Sequence, residues 1–272
     1  MIDLHLHTTA SDGSFSPSSL VARAASAGIV ILSVTDHDTT AGLDEARAAA
    51  SFLGLTLVNG IEVTAVEDGR DVHVLGYFFD DTNAELAGFL GRQRVDRVRR
   101  VEEMAARLSS LGYPIDARGL LEDGIQRGRS IGRPHIADAL IAAGHVRTRD
   151  EAFARFLENG RPAYVPRCGD SAADVIAILH TAGGLASLAH PGLTRRDDLI
   201  PSLAAAGLAA LEARHGDHDP ETEARYRTLA AAHGLAVTGG SDFHSDDSAR
   251  AQRLGIVSLP PDDWHGLLER RS

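Results

Sequence analysis

The chain has 272 residues, 43% of them hydrophobic, so it is long enough to bury a substantial core and is not expected to be disordered. Its 38 acidic side chains outnumber 27 basic ones, all arginine, and the formal net charge of −11 argues against duplex nucleic acid as a partner. Cys168 is the only cysteine, which excludes an internal disulfide, and no run is signal-like or long enough to span a bilayer, so we expect a cytoplasmic protein without membrane contacts.

Short apolar runs alternate with segments of helical period along most of the chain, a pattern typical of βα units and a largely parallel sheet. Helices are predicted after Ser16, Thr40 and Ser171 and from Pro220, because these residues can cap or open a helix. With seven or eight strands we expect an α/β barrel, whose catalytic residues gather at the C-terminal ends of the strands. The predicted strands are Ile2–His5, Val30–Thr35, Thr56–Val58, Val72–Phe78, Leu185–Ala189, Ala209–Glu212, Ala236–Thr238 and Gly255–Ser258.

One segment departs from this alternation. Between about Thr82 and Arg161 the strand signals vanish, so residues 81–161 are predicted to form a helical insertion subdomain between the two barrel segments, 1–80 and 162–272. An arginine run in this segment is typical of a solvated helix face, although its place in the insertion leaves an RNA-tracking role open. The run consists of Arg92, Arg94, Arg97, Arg99 and Arg100.

Histidines and carboxylates follow five of the predicted strands. His5 and His7 share one face of the first strand, because alternate residues of a strand point the same way. In a barrel the strand ends converge on one mouth, so we expect these side chains to meet there. Nitrogen and oxygen donors suit divalent ions, and so many ligands would serve two or three, with Mn²⁺ expected for activity and Zn²⁺ or Fe²⁺ as alternatives. The predicted metal ligands, which are also the predicted catalytic residues, are His5, His7, Asp12, His37, Glu62, His73, His190, Asp242 and His244.

These ligands lie in short motifs that follow one another in a fixed order. The motifs are His5-Leu6-His7, Ser11-Asp12-Gly13, Thr35-Asp36-His37-Asp38, Gly60-Ile61-Glu62, Val72-His73-Val74-Leu75, Ala189-His190-Pro191-Gly192 and Gly240-Ser241-Asp242-Phe243-His244. In order and spacing they resemble the motifs of the PHP (polymerase and histidinol phosphatase) family over nearly the whole chain. The resemblance is closest to phosphoesterases acting on 3′,5′-nucleoside bisphosphates and short 5′-phosphorylated oligonucleotides. It implies a distorted (βα)7 TIM-like barrel with a trinuclear metal site.

The resemblance also implies how the ligands divide among three ions. One ion would be held by His5, His7, Glu62 and Asp242, a second by Glu62, His73 and His190, and a third by Asp12, His37 and His244. A hydroxide bridging two of the ions would attack phosphorus in line, because metals lower the pKa of bound water. The expected reaction removes the 3′-phosphate of a nucleoside bisphosphate, which for an adenine nucleotide gives AMP and phosphate.

A doubly phosphorylated substrate needs a second anchor. Arg133 and His135 stand at a predicted helix start and match a family element near the second phosphate. Arg167 and His218 occupy comparable family positions, although His215 is an equal candidate beside His218. The four predicted substrate-binding residues are Arg133, His135, Arg167 and His218.

Three alternatives remain on the sequence alone. A metal-dependent amidohydrolase also begins with a His-x-His strand, but its usual bridging ligand is a carboxylated lysine, which this chain lacks. A non-catalytic metal-binding module would be expected to have lost ligands, whereas the set here is complete. Histidinol phosphate is an alternative substrate within the phosphatases. The oligomeric state is not encoded in any pattern of the sequence.

Overall fold

The computed structural model describes residues 1–246 and 251–271, and its centre is one seven-stranded sheet. The strands stand side by side in chain order, so each neighbour in sequence is also a neighbour in the sheet. They are β1 (Ile2–Leu6), β2 (Ile31–Val34), β3 (Thr56–Glu67), β4 (Arg70–Tyr77), β5 (Leu185–Leu188), β6 (Ala210–His215) and β7 (Ala236–Gly240).

The sheet curls into a nearly closed barrel. All neighbouring pairs are parallel except those of β4, which runs antiparallel to both β3 and β5. Residues just after β7 reach the first strand: the Asp242 N–H donates to His5 O at 2.9 Å and the His7 N–H donates to Phe243 O at 3.1 Å. The predicted distorted (βα)7 barrel is therefore confirmed, with its distortion located at β4.

Helices cover the outside of the barrel and fill the predicted insertion. Ser16 and Ser171 cap their helices with side-chain oxygens, as predicted, whereas the helix expected after Thr40 begins only at Leu43 with Gly42 as its cap. The helices are α1 (Pro17–Ser26), α2 (Leu43–Leu53), α3 (Ala84–Ser110), α4 (Ala117–Gln126), α5 (Arg133–Ala142), α6 (Arg149–Ala152), α7 (Ala172–Thr181), α8 (Pro191–Thr194), α9 (Ile200–Ala205), α10 (Pro220–Ala232) and α11 (Pro261–Leu268).

The predicted eighth strand, Gly255–Ser258, is wrong. This segment follows a 3₁₀ turn at Ala251–Arg253, and Gly255 has a positive φ of 76°, which breaks an extended conformation. Its end still contacts the first strand, because Ser258 Oγ accepts a hydrogen bond from the Ile2 N–H. Next to it, α11 covers the floor of the barrel, which is the end opposite the mouth, with Trp264 and Leu267.

The helices from α3 to α6 and a π-helical turn at Phe153–Leu157 lie between β4 and α7. They bury a hydrophobic cluster of their own, separate from that of the barrel, with Met104, Leu108 and Leu140 near its centre. A separate core is what a subdomain requires, and the boundaries 81–161 stay a prediction. None of the helices in the described residues is both long and apolar enough to cross a membrane.

Helix α3 links the floor of the barrel to its mouth. Because β4 is reversed, the chain leaves this strand at the floor, and Asn83 then caps α3 by accepting hydrogen bonds from two backbone N–H groups. A helix of 27 residues is roughly 40 Å long. Midway along it, Gln93 and Arg97 contact Thr64 of β3, near the mouth.

Candidate metal centre

The first strand places two imidazoles at the mouth. His5 and His7 are fully buried, and their Nε2 atoms lie 3.1 Å apart. Asp242, just after β7, joins them with Oδ1 at 3.5 Å from His5 Nε2 and 3.3 Å from His7 Nε2. The backbone bonds that close the barrel between β1 and β7 therefore also bring these three side chains together.

Glu62 is the centre of the cluster. Its Oε1 lies 2.8 Å from His73 Nδ1 and 2.9 Å from His190 Nε2. Its Oε2 lies between 3.1 and 3.3 Å from ring nitrogens of three more histidines, His5, His7 and His37. One carboxylate thus contacts two groups of imidazoles with different oxygens, which is the arrangement required of a bridging ligand.

A third group of donors lies at the outer side. Asp12 Oδ1 is 3.4 Å from His244 Nε2, and Asp12 Oδ2 is 3.8 Å from His37 Nε2. Together with His7 these side chains form one of the sets whose donor atoms all lie within 4.8 Å of one another. The structure therefore brings all nine sequence-predicted ligands into one continuous cluster.

The spacing and charge of this cluster fit divalent ions. Donors bound at about 2.0–2.2 Å to one ion stand roughly 2.9–3.5 Å apart, which matches most of the separations above. Burial would lower the pKa of His7, but hydrogen bonds with Asp242 and Glu62 raise it to about 10. The buried carboxylates thus draw positive charge into the site, and metal ions supply that charge in proteins with such donor sets.

The Asp36-His37-Asp38 motif divides into three roles. Asp36 is buried and accepts hydrogen bonds from the Thr8 N–H at 2.8 Å and from Ser11 Oγ at 2.6 Å, which fixes the loop that carries Asp12. His37 joins the cluster. Asp38 faces away from it and accepts bonds from two arginines, so this residue connects the metal centre to the second half of the pocket.

Four arginines border the same open pocket as the cluster. The pocket has a volume of about 370 Å³, and Glu62, His73 and His190 form part of its lining. On the other part lie the guanidinium groups that we call the arginine wall, Arg97, Arg100, Arg133 and Arg167.

Two carboxylates partly neutralise the arginine wall. Asp38 Oδ2 lies 2.7 Å from Arg97 Nε and 3.2 Å from Arg167 NH1, and Asp71 Oδ2 lies 3.2 Å from Arg133 NH2. Four guanidinium groups against two carboxylates leave two positive charges in excess. Burial, together with Arg167 nearby, lowers the pKa of Arg100 to about 10.

The predicted substrate contacts separate into two pairs. Arg133 and Arg167 line the pocket, whereas His135 and His218 are absent from the part of the lining that the structure describes. His135 Nδ1 accepts a bond from the Gly132 N–H at the start of α5. Both ring nitrogens of His218 bond to backbone, one to Ala213 O at 2.9 Å and the other to the Gly192 N–H at 3.2 Å, so His218 joins β6 to α8.

The neighbouring His215 lies on the cluster instead. It is buried, and its Nε2 is 3.4 Å from Asp242 Oδ2. Its Nδ1 accepts a hydrogen bond from the Asp217 N–H at 3.1 Å, which places the ring proton on Nε2. Of the two histidines that the sequence could not tell apart, His215 is therefore the one that contacts a predicted ligand.

Some residues of the site were not singled out as such from the sequence. The prediction of a solvated face for the arginine run is wrong at Arg97 and Arg100, which are 7% and 4% exposed. A signal existed: both fall on the same helical stripe as Leu90, Val101 and Met104.

Phe153 and Glu212 were also missed. Phe153 lines the pocket from the π-helical turn, an irregular element that no pattern predicts and that often marks functional sites. Glu212 is fully buried on β6; burial would raise the pKa of its carboxyl, but the charges of His5 and His215 lower it.

Known proteins resemble the chain over almost its full length. The PHP domain family model matches residues 3–124. A 3′,5′-nucleoside bisphosphate phosphatase of Chromobacterium violaceum is 34% identical over 265 residues, which cover 96% of this chain and 93% of that protein. A 5′-3′ exoribonuclease of Haemophilus influenzae is 34% identical over 249 residues, 89% of either chain. A phosphoribosyl 1,2-cyclic phosphate 1,2-diphosphodiesterase of Eggerthella lenta is 36% identical over 245 residues, 89% of this chain and 93% of that protein.

Solved structures also resemble the chain over almost its full length. A protein of Bifidobacterium adolescentis, provisionally described as a metal-dependent phosphoesterase, superposes with a TM-score of 0.90 at 39% identity, covering 99% of this chain and 96% of the other. A Chromobacterium violaceum structure described as an amidohydrolase, with bound sulfate and no metal, gives 0.88 at 33% identity, again covering 99% and 96%. The family expected from the motifs is thus confirmed: the chain belongs to the PHP family and is a metal-dependent phosphoesterase.

Proposed function

We propose that this enzyme hydrolyses a phosphate ester of a small nucleotide that carries a second phosphate, foremost the 3′-phosphate of a 3′,5′-nucleoside bisphosphate. The observation that carries the proposal is the arginine wall, which borders the same pocket as the metal centre and has two positive charges in excess. A phosphate monoester anchored there would be a dianion and would balance that excess. The name of the Chromobacterium relative supports this substrate class, and that of the Haemophilus relative, an exoribonuclease, supports the short-RNA alternative.

The pocket also suits a nucleoside between the two phosphates. Its volume of about 370 Å³ falls in the usual range for small-molecule sites. Phe153 and Leu193 lie among the lining residues, and Leu193 is 46% exposed although it is apolar. A base that stacks on an aromatic ring gains about 1–3 kcal/mol. We assign the base to this apolar part and the retained phosphate to the arginine wall, with Arg97, Arg133 and Arg167 as its donors.

The nine clustered side chains are the proposed ligands for two or three divalent ions, with Mn²⁺ as the expected activating ion. Such ions lower the pKa of bound water and offset the charge that develops on the transferred phosphoryl group. Among the described lining residues the only hydroxyl is that of Thr64, and it accepts a hydrogen bond from Arg97 NH2 at 3.3 Å. The described lining therefore offers no free hydroxyl nucleophile, and its imidazoles and carboxylates are proposed metal ligands or, for Asp71, a partner of Arg133, in keeping with in-line attack by water and no covalent enzyme intermediate.

In this proposal the side chains of the protein mainly position the substrate. Arg133 is held by Asp71 at 3.2 Å, and its guanidinium lies 5.9 Å from the ring centroids of Phe153 and Tyr164. Rigid donors of this kind fix one phosphate and so aim the other at the metal centre.

The test compares a bisphosphate with 3′-AMP, which lacks one of its two phosphates, and with two substrates of other classes. Purified enzyme with Mn²⁺ is assayed for phosphate release from 3′-phosphoadenosine 5′-phosphate, 3′-AMP and histidinol phosphate, and for mononucleotide release from a 5′-phosphorylated trinucleotide. Hydrogen bonds to charged groups are worth about 1.5–3 kcal/mol, so kcat/KM should be about 10- to 100-fold higher for the bisphosphate than for 3′-AMP. Arg133→Ala should remove most of this difference and leave 3′-AMP hydrolysis almost unchanged.

Equal kcat/KM values for the bisphosphate and 3′-AMP would refute the proposal. A preference for histidinol phosphate would assign the enzyme to the other phosphatase class. A preference for the trinucleotide would keep the anchor and extend the substrate to short RNA. Addition of a chelator should abolish each of these activities.

A further inference from the structure

Glu212 is a buried carboxylate that the proposed chemistry does not use. It is fully inaccessible on β6 and does not belong to the described lining of the pocket. A buried carboxylate is costly unless hydrogen bonds satisfy its oxygens. Here each oxygen has one partner: Oε1 lies 2.8 Å from His5 Nδ1, and Oε2 accepts a bond from the backbone N–H of His190 at 2.7 Å.

The first contact determines which nitrogen of His5 is free. An ionised carboxylate can only accept, so the proton of the imidazole must be on Nδ1. The lone pair is then on Nε2, which lies 3.1 Å from His7 Nε2 and 3.3 Å from Glu62 Oε2. The opposite tautomer would carry a proton at the place where a metal ion has to bind.

The second contact holds a strained backbone. His190 has a φ of 26° and a ψ of 58°, a conformation that a residue with a side chain rarely adopts. In this conformation its ring reaches Glu62, with Nε2 at 2.9 Å from Oε1. Strain of this kind persists only where neighbouring groups hold the backbone in place.

We propose that Glu212 is a positioning residue of the metal centre, which fixes the Nδ1–H tautomer of His5 and the backbone of His190 so that both imidazoles direct Nε2 at Glu62. The inference rests on the proposed ligand set. It adds a role for a residue that lies outside that set. Outer partners of this kind typically change metal affinity about 10- to 100-fold when they are removed.

The substitution Glu212→Gln tests this role with almost no change in size. Both partners of Glu212 are donors, but an amide has one acceptor and one donor, so either orientation of the glutamine loses one of the two bonds. We expect Zn²⁺ affinity, measured by competition with a chelator, to fall about 10- to 100-fold. Glu212→Asp keeps two acceptor oxygens and should recover part of this loss. Glu102→Gln, at an exposed carboxylate of α3, should bind Zn²⁺ like the unchanged protein.

A spectroscopic readout separates positioning from simple loss of stability. In ¹⁵N–¹H correlation spectra of the zinc-loaded full-length protein, His5 should carry its proton on Nδ1, and Glu212→Gln should shift these ring signals. This measurement on the unchanged protein decides the matter even if a variant does not fold: a proton on Nε2, or zinc on Nδ1, overturns the proposal. Unchanged affinity and unchanged His5 signals in Glu212→Gln also overturn it. If the unchanged protein binds no zinc, the ligand set itself is wrong, which is a distinguishable failure.

Discussion

The metal centre and the arginine wall border the same pocket but are built in opposite ways. Except for Asp12, whose loop is held by Asp36, the ligands of the metal centre stand on barrel strands or a few residues after them, where the hydrogen bonds of the sheet set their positions. The wall comes from α3, the start of α5 and the irregular segment before α7, and the carboxylates of Asp38 and Asp71 join these parts. Backbone pairing therefore organises one half of the pocket and buried ion pairs organise the other.

The two halves also differ in charge. The metal centre collects carboxylates and needs cations, whereas the arginine wall has excess positive charge and needs an anion. A molecule with two phosphates satisfies both, because one phosphate ester can lie at the metals while the other is held by guanidinium groups. The predictions below change one half at a time.

The largest effect is expected from Glu62→Gln, which removes the carboxylate that contacts five histidines. Outer partners of metal ligands are worth about 10- to 100-fold, so loss of this central one should lower kcat/KM by more than about 1,000-fold. The measurement is phosphate release with excess Mn²⁺, and Glu102→Gln is the matched control. A loss below tenfold would contradict the bridging role.

The next effect concerns stability. Asp38→Asn leaves two buried arginines with less negative charge, and breaking a buried pair of this kind costs about 3–5 kcal/mol of unfolding free energy. Urea unfolding of the metal-free protein at pH 7 measures it. Asp44→Asn is the control, because Asp44 pairs with Arg47 at 2.6 Å but its side chain is 91% exposed.

The pH dependence of this difference has a definite sign. Burial would raise the pKa of Asp38, but Arg97 and Arg167 lower it to about 2, below its ordinary value of 3.8. A carboxyl with a lowered pKa stabilises the fold above about pH 4 and loses this contribution as the pH falls towards 2. The difference in unfolding free energy between the unchanged protein and Asp38→Asn should therefore become smaller as the pH falls over that range. If this difference in unfolding free energy stays constant with pH, the ion pairs of Asp38 do not contribute to stability.

A smaller effect is expected at the arginine wall. Arg97→Ala should lower kcat/KM for a nucleoside bisphosphate by about 10- to 100-fold, since a charged hydrogen bond is worth about 1.5–3 kcal/mol. Hydrolysis of a monophosphate should change little, because only the retained phosphate depends on the wall. Steady-state kinetics on the two substrates gives the ratio, and equal losses on both would place Arg97 in the chemical step instead.

The smallest effect is expected at Arg94, which lies about one turn before Arg97 on α3. Arg94 is not part of the described lining of the catalytic pocket, so Arg94→Ala should alter the kinetics by less than about twofold and stability by less than about 0.5 kcal/mol. The contrast between Arg97 and Arg94 separates the stripe of α3 that lines the catalytic pocket from a half-buried position beside it. A large effect at Arg94 would reopen the role of the whole arginine run in binding RNA.

The barrel and the clustering of the nine proposed ligands could be predicted from the sequence, while the count of seven strands came from the family resemblance. Motifs such as His5-Leu6-His7 stand at strand ends, and barrel topology brings strand ends together wherever they occur in the chain. The strand predicted at Gly255–Ser258 failed because Gly255 turns the chain with a positive φ of 76° and Ile256 is 70% exposed, so the segment does not join the ladder. Arg97 and Arg100 were misjudged because helix periodicity shows which face is shared but not what the face packs against. Glu212 gave no signal, since its partners are His5, distant in sequence, and one backbone N–H.

The reversed strand β4 has a consequence for how such an enzyme can diversify. In a regular βα barrel the helix after a strand begins at the mouth and descends, but here α3 begins at the floor and climbs. Moving an arginine by one turn of this ascending helix shifts the anchor by about 5.4 Å in height and leaves every strand in register. A change in the position of an arginine along α3 would therefore change the distance between the anion-binding side of the pocket and the metal centre without disturbing the strands that carry the proposed ligands.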